Sequence, residues 1–161
     1  SDNWAFAAGV SGDGSTVVGL SGGMATRWVG NHVQGLGTLS TSPFATSVAY
    51  STSADGSLIF GTADTDSGLP AAFVWSRHGG MLNLEEYLES QGVDLTGWDL
   101  WYANASSADG STLAGGGFYN GEFHGWVLTD FVRPVPEASP GLTGAGLVAL
   151  AMVKTLRRRR D

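Results

Sequence analysis

The side chains in this sequence whose types could support chemistry are few and scattered. The three histidines, His32, His78 and His124, lack the His-x-His and His-x-x-x-His spacings that hold a metal, so we interpret them as solvent-exposed loop residues. Asp64 and Asp66 alternate as carboxylates do in a calcium loop, but a third ligand and the distal glutamate are missing. This favours a polar turn over a metal site.

Three acidic residues, Glu85, Glu86 and Glu89, are the nearest approach to a catalytic pair. A glycosidase needs two carboxyl groups facing each other across a sugar, whereas these lie on one predicted helix and are expected to point together into solvent. Gly19-Leu20-Ser21-Gly22-Gly23 has the Gly-x-Ser-x-Gly spacing, but no helix is predicted after it, so it is not a nucleophile elbow. No phosphate-binding loop or dinucleotide fingerprint occurs in the sequence. The sequence therefore predicts no catalytic residue, no metal site and no cofactor.

The tryptophans are the remaining residues that could bind a ligand. Trp28, Trp75 and Trp126 recur at similar places along the chain and are predicted core residues. Trp98 and Trp101 break this recurrence. If both rings were exposed they could stack on sugar rings, because a flat aromatic face suits the C–H face of a pyranose. Ordinary packing is the alternative for this pair.

Composition and charge exclude several classes of protein. The 161 residues are 42% hydrophobic and 14% charged and include 25 glycines, which indicates one folded domain rather than a disordered chain. Residues 1–132 hold two arginines and 13 acidic residues, a formal charge of −11, which disfavours nucleic-acid binding. The sequence has no cysteine, so disulfides, thiolate metal sites and cysteine nucleophiles are excluded.

One pattern, S-x-D-G-S-x-x-x-G, occurs three times, with the repeat landmarks near 10–28, 52–75 and 106–126. Asp-Gly between apolar runs is a strong hairpin signal, and the closing glycine leaves room for a neighbouring backbone or a bulge. About four short strands per unit are typical of a propeller blade. We therefore predict an all-β domain over residues 1–132, made of repeated small antiparallel sheets that resemble partial β-propeller blades.

A single short helix is predicted over 84–91, in the longer spacing between the second and third patterns. Asn83 is its predicted N-cap, Glu86 the capping-box partner and Gly92 the residue that ends it. The face that should pack on a sheet consists of Leu84, Tyr87, Leu88 and Gln91.

The last 29 residues contain six of the eight basic residues. A linker at 133–140 leads to an apolar helix and arginine cluster at 141–161, which is short for a transmembrane-type helix unless Lys154 snorkels. A buried C-terminal helix is the alternative, and four consecutive arginines disfavour it. By the positive-inside rule these arginines predict a cytoplasmic C-terminus, with the body across the membrane; they are Arg157, Arg158, Arg159 and Arg160.

The linker contains Val135, Pro136, Glu137 and Ala138. With the apolar helix and the arginine cluster, this motif resembles the PEP-CTERM sorting signal of Gram-negative bacteria, in which a second proline usually stands at the place of Ala138. The resemblance implies insertion in the membrane by the helix and processing near the motif by an exosortase-type membrane protease. Residues 1–4 have neither a basic n-region nor an apolar h-region, so we expect a fragment or a mature form.

The body resembles the HAF-repeat family of bacterial extracellular proteins. The likeness lies in A-F-V-W at 72–75, G-G-M-L-N-L at 79–84, G-W-D-L at 97–100 and A-D-G-S at 108–111. This family is defined by repeats and export, so the resemblance implies an extracellular location but no chemistry.

These observations predict an exported, non-enzymatic β-repeat protein, sorted to the cell envelope or extracellular matrix, with no nucleic-acid partner. One alternative is a carbohydrate-binding surface module that contacts extracellular polysaccharide through Trp98 and Trp101. A second is a fragment of a propeller enzyme. Because two complete units and a partial third are fewer than the roughly 4–8 blades of a propeller, we expect further sequence or an oligomer.

Overall fold

The structure is a computed structural model that describes residues 4–134. Within this range the chain forms eleven strands and one helix. In chain order these are β1 (Ala5–Val10), β2 (Thr16–Ser21), β3 (Met24–Val29), β4 (His32–Gly37), β5 (Ser47–Thr52), β6 (Leu58–Asp64), β7 (Pro70–Ser76), β8 (Gly80–Asn83), α1 (Leu84–Ser90), β9 (Trp98–Ser106), β10 (Leu113–Tyr119) and β11 (Glu122–Leu128).

Consecutive strands form three small antiparallel sheets. The first has the order β1-β2-β3-β4, the second β5-β6-β7-β8, and the third, with three strands, β11-β10-β9. The prediction of repeated small antiparallel sheets and one short helix is confirmed. Residues 4–134 do not close into a barrel or a propeller.

The sheets form a stack with the second sheet in the middle. Strand β5 packs on the first sheet, and β9 packs on β5, β6 and β7. Alternate side chains of β6 point in opposite directions. Ile59 therefore packs with Val18 of the first sheet, whereas Phe60 packs with Leu113 of the third sheet. Both faces of the second sheet are consequently buried.

Each S-x-D-G-S pattern folds into the same closed turn. In the first turn Ser11 Oγ donates to Asp13 Oδ1 at 2.7 Å, Ser15 N donates to the same oxygen at 2.9 Å, and Thr16 N donates to Ser11 Oγ at 2.9 Å. Gly14 takes a positive φ of 72°, which glycine adopts without steric cost. The second and third patterns repeat these bonds around Asp55 and Asp109. The aspartates therefore have a structural role.

The three turns are joined by a backbone ladder. Gly12 N donates to the Ala54 carbonyl at 2.8 Å, and Ala54 N donates to the Ala108 carbonyl at 2.7 Å. These residues hold the same place in the pattern, between its first serine and its aspartate. The ladder sets the offset between neighbouring sheets.

The first strand of each sheet carries a β-bulge opposite the closing glycine. The extra residues are Ala8, Tyr50 and Asn104. A Cβ on Gly61 would collide with the carbonyl oxygen of Val48, and the closing glycines of the other two sheets face the same obstacle. The prediction that this glycine accommodates a bulge is confirmed.

Helix α1 has the predicted cap and end. The Asn83 side chain accepts hydrogen bonds from Glu85 N at 3.0 Å and Glu86 N at 3.4 Å. Gly92, with a φ of 83°, follows the last turn, and its N–H donates to the Glu89 carbonyl. Within the described range the Glu86 carboxylate accepts no hydrogen bond from the Asn83 backbone, so the predicted capping box does not form. The apolar face packs on β7 as expected, with Leu84 and Leu88 buried. Gln91 is exposed and follows the last helical residue, so its predicted place on this face is wrong.

The recurring tryptophans are not equivalent. Trp75 and Trp126 are buried, but Trp28 is half-buried on an outer face of the stack, so its assignment to the core is only partly right. Trp126 lies opposite the closing Gly115, as Phe73 lies opposite the closing glycine of the second sheet. An alignment of the third sheet with the second by their tryptophans is therefore wrong by two residues.

The predicted sorting motif, apolar helix and arginine cluster lie outside the described residues. Within residues 4–134, no helix is long and apolar enough to cross a bilayer.

Candidate functional site

A cleft of about 460 Å³ lies at the end of the stack opposite the Asp-Gly turns. The start of α1 and the strand β9 form one side, and the hairpin between β6 and β7 forms the other. Its polar and aromatic lining consists of Thr65, Asp66, Ser67, Asn83, Glu85, Glu86, Asp99 and Trp101. We call it the acidic cleft.

Trp101 owes its position in the acidic cleft to a second bulge in β9. Tyr102 lies opposite Gly116 and Leu100 opposite Gly117, so Trp101 is the extra residue between them. A bulge bends the strand and redirects a side chain. The Trp101 carbonyl accepts a hydrogen bond from Thr62 Oγ1 at 2.7 Å, which ties the bulge to the second sheet.

Glu85 faces the cleft and not the solvent, so its expected orientation is wrong. Its Oε2 accepts a hydrogen bond from Leu100 N at 2.9 Å. Burial raises the pKa of the Glu85 carboxyl; the hydrogen bond from Leu100 opposes this, and the nearby acidic groups, led by Asp99, add to the rise. Glu86 and Glu89 are exposed as expected. No sequence signal links Glu85 to a strand 15 residues further on.

The alternating carboxylates Asp64 and Asp66 hold loops. Asp66 Oδ1 accepts hydrogen bonds from Ser40 Oγ and Thr41 N, both at 2.7 Å, and these contacts lower its pKa. Asp64 Oδ2 accepts from Thr46 N at 2.8 Å. Within residues 4–134, no group of three or more ligating side chains could hold a metal ion. The interpretation as a polar turn agrees with these contacts.

Beside the cleft, four aromatic rings cover the outer face of the third sheet. Trp101 and Phe118 have ring centroids 4.6 Å apart, Phe118 and Phe123 5.4 Å, and Tyr102 and Phe123 6.2 Å. A Cβ on Gly116 would lie 2.6 Å from the Tyr102 ring and 2.8 Å from the Phe123 ring, so both rings lie across this glycine. We call Trp101, Tyr102, Phe118 and Phe123 the aromatic patch.

Trp98 does not belong to the aromatic patch. It is only 8% exposed and lies in the core between the second and third sheets, where its ring packs on Tyr119 at a centroid distance of 5.0 Å. Because residues along β10 alternate between faces, Tyr119 and Phe118 lie on opposite sides of the sheet. Trp98 and Trp101 are therefore not exposed together, and Phe118 is the neighbour of Trp101 instead.

The histidines remain apart. His32 and His78 are exposed, as expected, although His32 begins a strand. His124 is half-buried in β11, with its ring centroid 6.4 Å from that of Trp98 and its Nε2 3.7 Å from Glu122 Oε2. The interpretation as an exposed loop residue is wrong for His124.

A second cleft, of about 420 Å³, lies near the Asp-Gly turns and is lined by Arg27, Arg77 and Arg133. Arg27 is buried; its Nε donates to Gln34 Oε1 at 2.8 Å, and its Cζ lies 4.8 Å from the centroid of the Trp75 ring. Burial and the charge of Arg77 lower the pKa of Arg27. These are the three arginines of residues 4–134, so the positive charge of the described region is concentrated here.

No protein-family model and no curated protein matches this sequence.

Proposed function

We propose that this chain is an exported, non-enzymatic β-repeat protein in which blade-like units form a scaffold, sorted by its C-terminal signal to the cell envelope or extracellular matrix. The observation that supports the scaffold is the ladder of identical turns. The carboxylates that recur with the repeat, such as Asp13 and Asp55, accept hydrogen bonds from their own turns. The repeated residues thus stabilise the fold, and recognition falls to residues that differ between units.

Support for sorting comes from the sequence alone. Val135-Pro136-Glu137-Ala138 would be the motif recognised by an exosortase-type protease, and Arg157, Arg158, Arg159 and Arg160 would keep the C-terminus cytoplasmic while the body lies on the periplasmic side. The HAF-repeat likeness of the body accords with an extracellular destination.

The test of sorting is the intact mass and location of the protein, expressed with a signal peptide in an exosortase-positive host and in its deletion strain. We expect a product that ends near residue 136 and leaves the membrane only in the positive host. Glu137→Gln should slow this processing, and Glu89→Gln, on the exposed helix surface, should not. An uncleaved product in both hosts would reduce the tail to a membrane anchor.

A carbohydrate-binding module is the second candidate, and the position of Trp101 favours it. The Trp101 ring lies beside the aromatic patch and also lines the acidic cleft, so a stacking surface adjoins carboxylates that can accept hydroxyl hydrogen bonds. Because Glu85, Glu86 and Asp99 carry negative charge, neutral or amino sugars are favoured over acidic ones.

Titration with neutral and acidic oligosaccharides, followed by tryptophan fluorescence and NMR, tests this candidate. Trp101→Ala should abolish binding, whereas Phe44→Ala, which removes an exposed ring outside the patch and the cleft, should not change it. Binding that survives Trp101→Ala would place the ligand elsewhere.

A further inference from the structure

The outer face of the first sheet carries an apolar row with no cover among the described residues. Val10 pairs with Val17, Val17 with Trp28, and Trp28 with Val33, so the four side chains lie side by side. Val10 is 59% and Val33 64% exposed. Such a row would normally be buried.

The second sheet has the corresponding row, with Thr52 in the place of Val10, and there it is covered. Ile59 pairs with Trp75, and Trp75 with Met81, in the register of Val17, Trp28 and Val33. Ile59 is 0% and Trp75 3% exposed, because the first sheet packs over them. The molecule therefore already contains a surface that covers this row.

The outer face of the third sheet is that kind of covering surface. Its row of Ala105, Ala114 and Val127 has the register of Ser51, Phe60 and Val74 in the second sheet. Phe60 and Val74 are fully buried, whereas Ala105 is exposed and Ala114 and Val127 are half-buried. The stack contains the same kind of interface twice, between the first and second sheets and between the second and third sheets. Its two outer faces therefore correspond to the two sides of that interface.

Each end of the turn ladder has one backbone group that could continue it. Within residues 4–134, Ala108 N has no hydrogen-bond acceptor and the Gly12 carbonyl has no donor. A fourth turn placed next to Ala108 would continue the ladder with the spacing already present.

We propose that a second copy of this chain docks head to tail, with the outer face of the third sheet of one copy on the outer face of the first sheet of the other. Ala108 N then donates to the Gly12 carbonyl of the second copy. A contact between different faces closes into a ring or continues as a filament. Two copies joined at both ends bring together six sheets, within the range of about 4–8 blades in closed propellers.

Two variants test the docking by blocking one face each. Val33→Asp places a charge on the first-sheet face, and Ala105→Asp places one on the third-sheet face. Both positions are exposed, so the fold should be unaffected, and circular dichroism checks this. Leu69→Asp, an exposed position in the β6–β7 hairpin, is the matched control. All variants keep residues 135–161, so association through the tail would be the same in each.

Light scattering across a concentration series should give twice 16.7 kDa for the wild type and Leu69→Asp, and monomers for each face variant alone. An equimolar mixture of Val33→Asp and Ala105→Asp should regain dimers, weaker than those of the wild type, because one intact contact remains. A monomeric wild type would overturn the proposal, as would association that neither variant weakens. If Val33→Asp abolished the dimers and Ala105→Asp left them intact, the contact would be a symmetric one between first-sheet faces. That result would contradict head-to-tail docking.

Discussion

At the scale of single residues, the repeated aspartates show how one side chain can fix a turn while remaining in water. Asp109 is exposed, yet its carboxylate accepts hydrogen bonds from Ser107 Oγ at 2.6 Å and Ser111 N at 3.0 Å. These bonds favour the ionised form. They lower the pKa to about 2 for Asp109, and hydrogen bonds of the same kind do so for Asp13 and Asp55.

This lowering predicts how stability depends on pH. Between the ordinary pKa of 3.8 and about 2, the unfolded chain binds more protons than the folded one at these three carboxyls, so stability should fall as the pH drops through that window. Asp109→Asn should flatten the fall. Urea unfolding from pH 5 to pH 2 measures it, with Glu89→Gln as the control. Equal slopes in wild type and Asp109→Asn would contradict the argument.

The Asp-Gly turns can be predicted from the sequence and the position of Glu85 cannot, because the two depend on contacts of different range. Asp109 finds its partners two residues away, and such local geometry follows from the residue types. The partner of Glu85 is the backbone of Leu100, brought close only when β9 packs beside α1. Trp101 is a predicted ligand residue, but the bulge that positions it could not be predicted. That bulge depends on the pairing of β9 with β10, which no local pattern encodes.

At the scale of elements, the repeated bulge explains why the pattern ends in glycine. The extra residue Tyr50 brings the carbonyl of Val48 to the place of a Cβ on Gly61, while the Phe73 ring lies 2.7 Å from that place on the other side. Backbone and core therefore both exclude a side chain there.

Gly61→Ala should accordingly destabilise the fold by about 1–3 kcal/mol or more, the range typical of overpacking. Gly125→Ala is the matched control, because its Cβ would meet nothing closer than the Gly115 carbonyl at 3.8 Å. Thermal and urea unfolding compare the two. A Gly61→Ala variant as stable as Gly125→Ala would show that the first strand can shift to make room.

At the scale of the whole molecule, the segment after β11 returns from the third sheet to pack against the second sheet and the helix. Phe131 is buried, with ring centroids 5.9 Å from Phe60 and 5.8 Å from Tyr87, and its N–H donates to the Ser111 carbonyl at 2.8 Å. Phe131 lies just inside the predicted domain boundary at 132, but no sequence pattern identifies it as an anchor. A single aromatic residue after the last strand has no periodicity to reveal it.

Phe131→Ala should cost about 3–5 kcal/mol, as is typical of a buried phenylalanine. Its neighbour Val132 is exposed, so Val132→Ala should change stability by less than about 0.5 kcal/mol. Urea unfolding of both variants measures the difference. Similar stabilities would mean that the segment contributes nothing to holding the sheets together.

The burial of the second sheet on both faces has a consequence for how the protein opens. In a single copy, a sheet at either end can detach by exposing one interface, but β6 and β7 become accessible only after both interfaces are lost. In such a stack, stability is roughly the sum of each unit and its nearest-neighbour contacts. Amide hydrogens of Phe60 and Val74 should therefore exchange with deuterium most slowly, at a rate set by global unfolding, while β1 and β11 exchange through partial openings.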